Sequence, residues 1–185
     1  MPLLVNQLQS QLLIIDLQER LASAMPADEW ATVEKHSARL LQAASVLEIP
    51  VLISEQYPRG LGPTADDIKN SAGELSQLIE KTHFSCCQNN DYKQKLISNN
   101  RPQLVICGME THVCVLQTAF DAIDSGFEVF IVADAVCSRT HDHKHNALQR
   151  LQQAGVIISN HESVMFEWLR DAKHPQFKFI SGLLK

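Results

Sequence analysis

Leu104-Val105-Ile106-Cys107-Gly108-Met109-Glu110-Thr111-His112-Val113-Cys114-Val115 is the stretch from which the fold is read. Its first four residues form an uninterrupted apolar run, the pattern of a strand buried on both faces of a parallel sheet. The run breaks at Gly108. A helical pattern then begins near Thr111 and continues through Leu116-Gln117-Thr118-Ala119-Phe120-Asp121-Ala122 to Ser125, where Gly126 supplies a C-terminal stop. Cys114 therefore lies in the first turn of a helix that leaves the carboxyl end of a strand. Free N–H groups and the positive end of the helix dipole favour a thiolate there. The carboxyl ends of parallel strands are also where open α/β sheets bind ligands. A small buried hydrophobe is the bland alternative for such a cysteine.

Working outward, the same grammar repeats. Gln11 to Asp16, Pro50 to Ser54, Leu78 to Lys81, Pro102 to Gly108, Phe127 to Val132 and Val156 to Ser159 read as six strands. Helical segments fall at Asp28 to Glu48, Asp91 to Asn99, Thr111 to Ser125 and Asp142 to Ala154, with one or two more between Ser163 and Leu184. Tyr57 to Thr64, with two Pro and two Gly, reads as a loop, and Asp66 to Ser76 is ambiguous. Strands alternating with helices imply a parallel sheet covered on both faces, an α/β fold of the Rossmann-like, three-layer α/β/α kind. Residues 1–185 fit one domain.

Two further strand ends carry chemistry. Leu12-Leu13-Ile14-Ile15 ends in Asp16, and Leu78-Ile79-Glu80 ends in Lys81. In a parallel sheet Asp16, Lys81 and Cys114 emerge at one edge, whatever their distance in sequence. A thiol needs a proton acceptor to attack at neutral pH, and a nearby cation stabilises its thiolate. Singly, Asp16 could cap a helix and Lys81 could be a solvated strand end. Cys86 and Cys87, in the loop after Lys81, are the rival nucleophiles, whereas Cys107 within its strand reads as inert and Cys137 as a neighbour of the site.

With those residues in place the chain resembles the isochorismatase-like cysteine hydrolases, and most closely their subgroup of isochorismatase domain-containing proteins. The likeness runs through Leu13-Ile14-Ile15-Asp16-Leu17-Gln18, Glu55 to Gly62, Glu80-Lys81-Thr82-His83-Phe84-Ser85, Gly108 to Val115, Val132-Ala133-Asp134-Ala135 and Ser138-Arg139. It implies a cysteine hydrolase that needs no cofactor, working on a small amide-like or related carbonyl substrate through Asp16, Lys81 and Cys114 and a thioester. It further implies an oxyanion hole from the backbone N–H groups of Glu110 and Cys114, and a cis peptide between Met109 and Glu110. The Glu110 side chain would then turn away from the thiol. Gln18, Tyr57, Phe84 and Thr111 are the candidate pocket residues. Metal-binding nicotinamidases place an Asp-x-His element after the second strand, where this chain has Ser54-Glu55-Gln56-Tyr57, so no metal is expected. Isochorismatases proper lack the cysteine, which argues against that named activity. Two other functions stay open: a binding or interaction protein that retains the pocket, and a redox-sensing thiol.

Composition narrows the partners. Of 185 residues, 45% are hydrophobic and 20% charged, and the net charge of −5 offers no footprint for nucleic acid or an anionic membrane. No apolar run approaches the roughly 18 residues of a membrane span, and no leader is evident. Five cysteines without C-x-x-C spacing suit reduced thiols in a cytoplasmic protein better than disulfides or zinc. His141-Asp142-His143-Lys144-His145 has ligand-like spacing but reads as a polar helix start. Family members generally associate, and Phe177 to Leu184 could cover a neighbouring copy or its own domain, so a homo-oligomer is expected.

Overall fold

The computed structural model describes residues 3–185. In chain order the elements are β1 (Ser10–Ile15), α1 (Glu19–Ala22), α2 (Ala27–Val46), β2 (Val51–Gln56), α3 (Pro58–Leu61), α4 (Asp66–Ser71) and β3 (Ser76–Lys81). A short 3-10 turn, Cys86–Gln88, precedes α5 (Asn90–Ser98) and β4 (Gln103–Met109). A π-helical turn, Thr111–Val115, leads into α6 (Leu116–Asp124). Then come β5 (Glu128–Cys137), α7 (His141–Gln153), β6 (Ile157–Ser159), α8 (His161–Leu169) and α9 (Phe177–Gly182).

The six strands form one sheet in the order β3-β2-β1-β4-β5-β6, and every pairing is parallel. Successive crossovers run outward from β1 to β3, then return to place β4 on the other side of β1. The direction of winding thus reverses between β1 and β4, the switch point at which such sheets open a crevice.

Alternation along each buried strand builds two cores. Leu12 and Ile14 of β1 pack with Leu40 and Leu41 of α2, Ile68 of α4 and Trp168 of α8. Leu13 and Ile15 face the opposite layer, with Tyr92 and Leu96 of α5, Val115, Ala119 of α6, and Leu151 of α7. The C-terminal segment belongs to the first core: Ile180 is fully buried and Leu183 and Leu184 pack against it, so these residues cover their own chain.

Three readings need correction. β5 continues to Cys137, five residues beyond the expected end at Val132 (137 − 132 = 5). Its register explains why: Ile106 pairs with Ile131 but Gly108 pairs with Val136, so β5 carries three extra residues over that interval (5 − 2 = 3). A bulged strand loses its simple apolar pattern. The loop after Tyr57 contains the single helical turn α3, begun by Pro58 at a position where a missing N–H costs nothing. The helix expected from Thr111 starts as a π turn, with the Val113 and Val115 N–H groups both donating to the Glu110 carbonyl at 3.0 and 3.2 Å.

Candidate active site

Asp16 lies one residue past β1 and Cys114 just past β4, the two strands that flank the switch point. Gly108 lets them approach. It pairs with Ile15, has φ of +129°, and any Cβ there would run into the Ile15 carbonyl oxygen. Only glycine fits such a position. Asp16 itself takes a left-handed conformation, φ +53°, which turns the chain sharply at the end of the strand. It caps no helix, since α1 begins after Gln18.

Lys81, the last residue of the edge strand β3, is buried rather than solvated. Its ammonium donates to Asp16 Oδ2 at 2.7 Å, to Gln56 Oε1 at 2.6 Å, and to the carbonyls of Phe84 and His83 at 3.1 and 3.3 Å. Four acceptors surround three N–H bonds. Burial by itself would lower the Lys81 pKa, but the charge of Asp16, the Cys86 and Cys114 sulfurs and the bond to Asp16 prevail and raise it. The pair is charged and internally satisfied, the condition under which a buried ion pair is tolerated.

The other oxygen of Asp16, Oδ1, accepts the Ser54 hydroxyl at 2.7 Å, and Ser54 Oγ in turn accepts the Cys86 thiol at 3.5 Å. Cys114 lies close enough to Asp16 and Lys81 for both charges to act on its thiol. Its pKa is pushed up, first by burial, then by the Asp16 charge, with Lys81 opposing. Burial and Asp16 thus oppose the thiolate that the helix start and Lys81 favour. Cys86 is pushed up to about 11 by burial and by Asp16, against Lys81, Ser54 and Thr118. It is fully buried behind Ser54, and its N–H is tied to Thr118 Oγ1 at 2.9 Å. Cys87 and Cys137 are each pushed up to about 12 by burial, and burial also raises Cys107 well above the ordinary thiol value.

The peptide between Met109 and Glu110 is cis. The Glu110 carboxylate is paired with Arg139, whose Nε and Nη2 donate at 2.8 and 3.1 Å. Of the four candidate pocket residues, Tyr57 and Phe84 stand exposed, 54% and 53%, in the two loops that meet at Lys81: the Tyr57 N–H donates to the Lys81 carbonyl at 2.9 Å. Thr111 is buried, and its hydroxyl has no hydrogen-bond partner among the described residues. Gln18 is different. Its amide donates to the carbonyls of Gln56 and Gly62 at 3.1 and 2.5 Å and accepts the Gln56 N–H at 2.8 Å. It is a buried brace between loops, with both amide hydrogens engaged. Ser54 and Gln56 were missed as partners of the ion pair; only their alternation at the end of β2, beside β1 and β3, could have pointed to them.

Among the described residues, His36, Asp134 and His161 form the one group near enough to share a metal ion. Their hydrogen bonds leave no room for that. Arg39 faces His161 Nε2 at 3.4 Å, so His161 Nδ1 carries the hydrogen and donates to Asp134 Oδ2 at 2.6 Å. His36 Nδ1 likewise donates to the Asp134 carbonyl at 2.8 Å. The histidines of α7 are engaged elsewhere: His141 pairs with Glu29 at 2.9 Å, and His143 lies against the His112 ring.

Comparison with known proteins finds relatives over nearly the whole chain. The family described as Isochorismatase domain matches residues 10–163. Isochorismatase domain-containing protein 2 of Danio rerio is 39% identical over 175 residues, 95% of this chain and 86% of that protein. The structure of MAR1 ribonuclease from Caenorhabditis elegans superposes with a TM-score of 0.93 at 35% identity, covering 98% of this chain and 92% of the other. YcaC of Escherichia coli, described as an octameric hydrolase of unknown specificity, shares the fold with a TM-score of 0.89 at 24% identity, over all of this chain and 90% of its own.

Proposed function

This chain belongs to the isochorismatase family, and from that premise we propose that it is a cysteine hydrolase for a small amide-like or related carbonyl compound. One observation carries the reading: a buried carboxylate, Asp16, is bonded at 2.7 Å to a buried ammonium, Lys81, and the charges of both act on the Cys114 thiol. In the first half-reaction the Cys114 proton passes to Asp16 as the sulfur attacks the carbonyl carbon. Negative charge gathers on the carbonyl oxygen, where the N–H groups of Glu110 and Cys114 stabilise it. The carbon–nitrogen bond then breaks, Asp16 returns the proton to the departing nitrogen, and a thioester remains. In the second half Asp16 takes a proton from water, whose oxygen displaces the sulfur; the carbon–sulfur bond breaks and Asp16 passes that proton to the departing sulfur, restoring the thiol. Lys81 keeps Asp16 oriented as it takes up and returns the proton. Tyr57 and Phe84 wall the entrance, and the unpaired Thr111 hydroxyl meets a polar atom of the substrate.

Hydrolysis of a panel of small amides, ureas and imides tests this. A productive compound should lose its turnover by about 1,000-fold or more in Cys114→Ser, with circular dichroism unchanged. Turnover retained in that folded variant rejects the scheme. RNA cleavage, suggested by the name of the Caenorhabditis elegans protein, is a weaker reading, because the net charge is −5 and the Lys81 ammonium is already saturated by oxygens. Single-stranded RNA cut equally fast by wild type and Cys114→Ser would replace our reading with it.

A further inference from the structure

Lys81 and Asp16 do not stand on neighbouring strands. Lys81 ends β3, Asp16 follows β1, and β2 runs between them. Their ion pair therefore bridges over the end of β2, whose Ser54 pairs with Ile15 and whose Gln56 pairs with Lys81. Residues two apart on a strand share a face, so Ser54 and Gln56 both present their side chains to the bridge. The chemistry of each suits the charge it meets. Ser54 gives a hydrogen to the carboxylate at 2.7 Å, and Gln56 offers an oxygen to the ammonium at 2.6 Å.

Neither group is free to reverse. The Cys86 thiol donates to Ser54 Oγ at 3.5 Å, which leaves the serine hydrogen directed at Asp16. Gln56 Nε2 donates to the Thr82 carbonyl at 2.8 Å, which fixes its amide with the oxygen toward Lys81. Among the atoms of the site, a donor is thus locked onto the anion and an acceptor onto the cation.

We propose that Ser54 and Gln56 are positioning residues, a β2 clamp that holds the Asp16 carboxylate in place beside Cys114 and holds Lys81 against it. The proposal rests on the hydrolase reading for its purpose, but the clamp can be tested apart from turnover. Iodoacetamide labelling of Cys114 in the folded protein, followed by mass spectrometry from pH 5 to 9, reports how readily Asp16 takes the thiol proton. Removing a donor from a carboxylate favours its protonated form. Ser54→Ala should therefore make Asp16 the stronger base and speed labelling at pH 7 by about tenfold. Ser54→Thr, which keeps the hydroxyl, should return labelling to the wild-type rate. An unchanged or slowed rate overturns the role of Ser54.

For Gln56 the readout is the Lys81 ammonium signal in 15N-lysine-labelled protein, assigned by its loss in Lys81→Arg. Gln56→Met should accelerate exchange of those hydrogens with water by about tenfold. Exchange at the wild-type rate overturns the role of Gln56. If wild-type Cys114 labels no faster than the other cysteines, the hydrolase reading fails while the lysine signal still decides the clamp.

Discussion

At the scale of single residues, the candidate site depends on the absence of a side chain as much as on Asp16, Lys81 and Cys114. Gly108 brings the end of β4 against Ile15, and its positive φ is one that L side chains rarely adopt. Gly108→Ala should destabilise the protein by more than about 1 kcal/mol. The distortion should also separate Asp16 from Cys114. Urea unfolding and labelling of Cys114 measured on one sample check both, and a variant of wild-type stability would show that the strands can part without cost. The same neighbourhood shows where residue-level reading stops. That a carboxylate, an ammonium and a thiol end three strands was visible in the sequence. That burial and Asp16 together push the thiol pKa up was not, because a pKa responds to desolvation and to charges from other strands.

At the scale of elements, α8 is anchored through its first residue. Asp134, in the bulged part of β5, accepts the His161 N–H at 2.8 Å and the His161 ring, while His36 of α2 stacks on that ring with centroids 3.6 Å apart. Burial is the main cause that lowers the His36 pKa; the bond to the Asp134 carbonyl opposes it, and the charges of His161 and Arg39 add to it. The sign follows. A histidine whose folded pKa lies below its unfolded value, about 6.5, is neutral in the fold, so the unfolded chain takes up the proton first. Stability from this clasp is complete above that value and declines as the pH falls below it. Wild type should lose midpoint in urea between pH 7.5 and 5.5, and His36→Asn should lose less of it. Equal losses would show that the clasp does not sense protons. Metal-like spacing of histidines in α7 was legible in the sequence, but this cluster was not, since its members come from three separate elements.

At the scale of the whole molecule, the surface keeps apolar residues the two cores do not absorb. Leu4, Phe166 and Phe179 are 51%, 38% and 46% exposed, and the first two line one cleft between the N-terminal segment and α8. Such a surface favours self-association, and sedimentation at micromolar concentration should show a species heavier than the 20.7 kDa chain. A single species of chain mass would refute it. The sequence by itself determined the strand–helix alternation, and with it a parallel sheet, because hydrophobic period is a local property that each segment carries alone. It also placed Asp16, Lys81 and Cys114 at strand ends, since every parallel strand points the same way. Only the tertiary structure decided that β4 returns beside β1, that Lys81 must reach across β2, and that Ser54 and Gln56 lie beneath that reach. Strand order and register arise from packing between segments far apart in the chain, and no local pattern encodes which neighbour a strand will have.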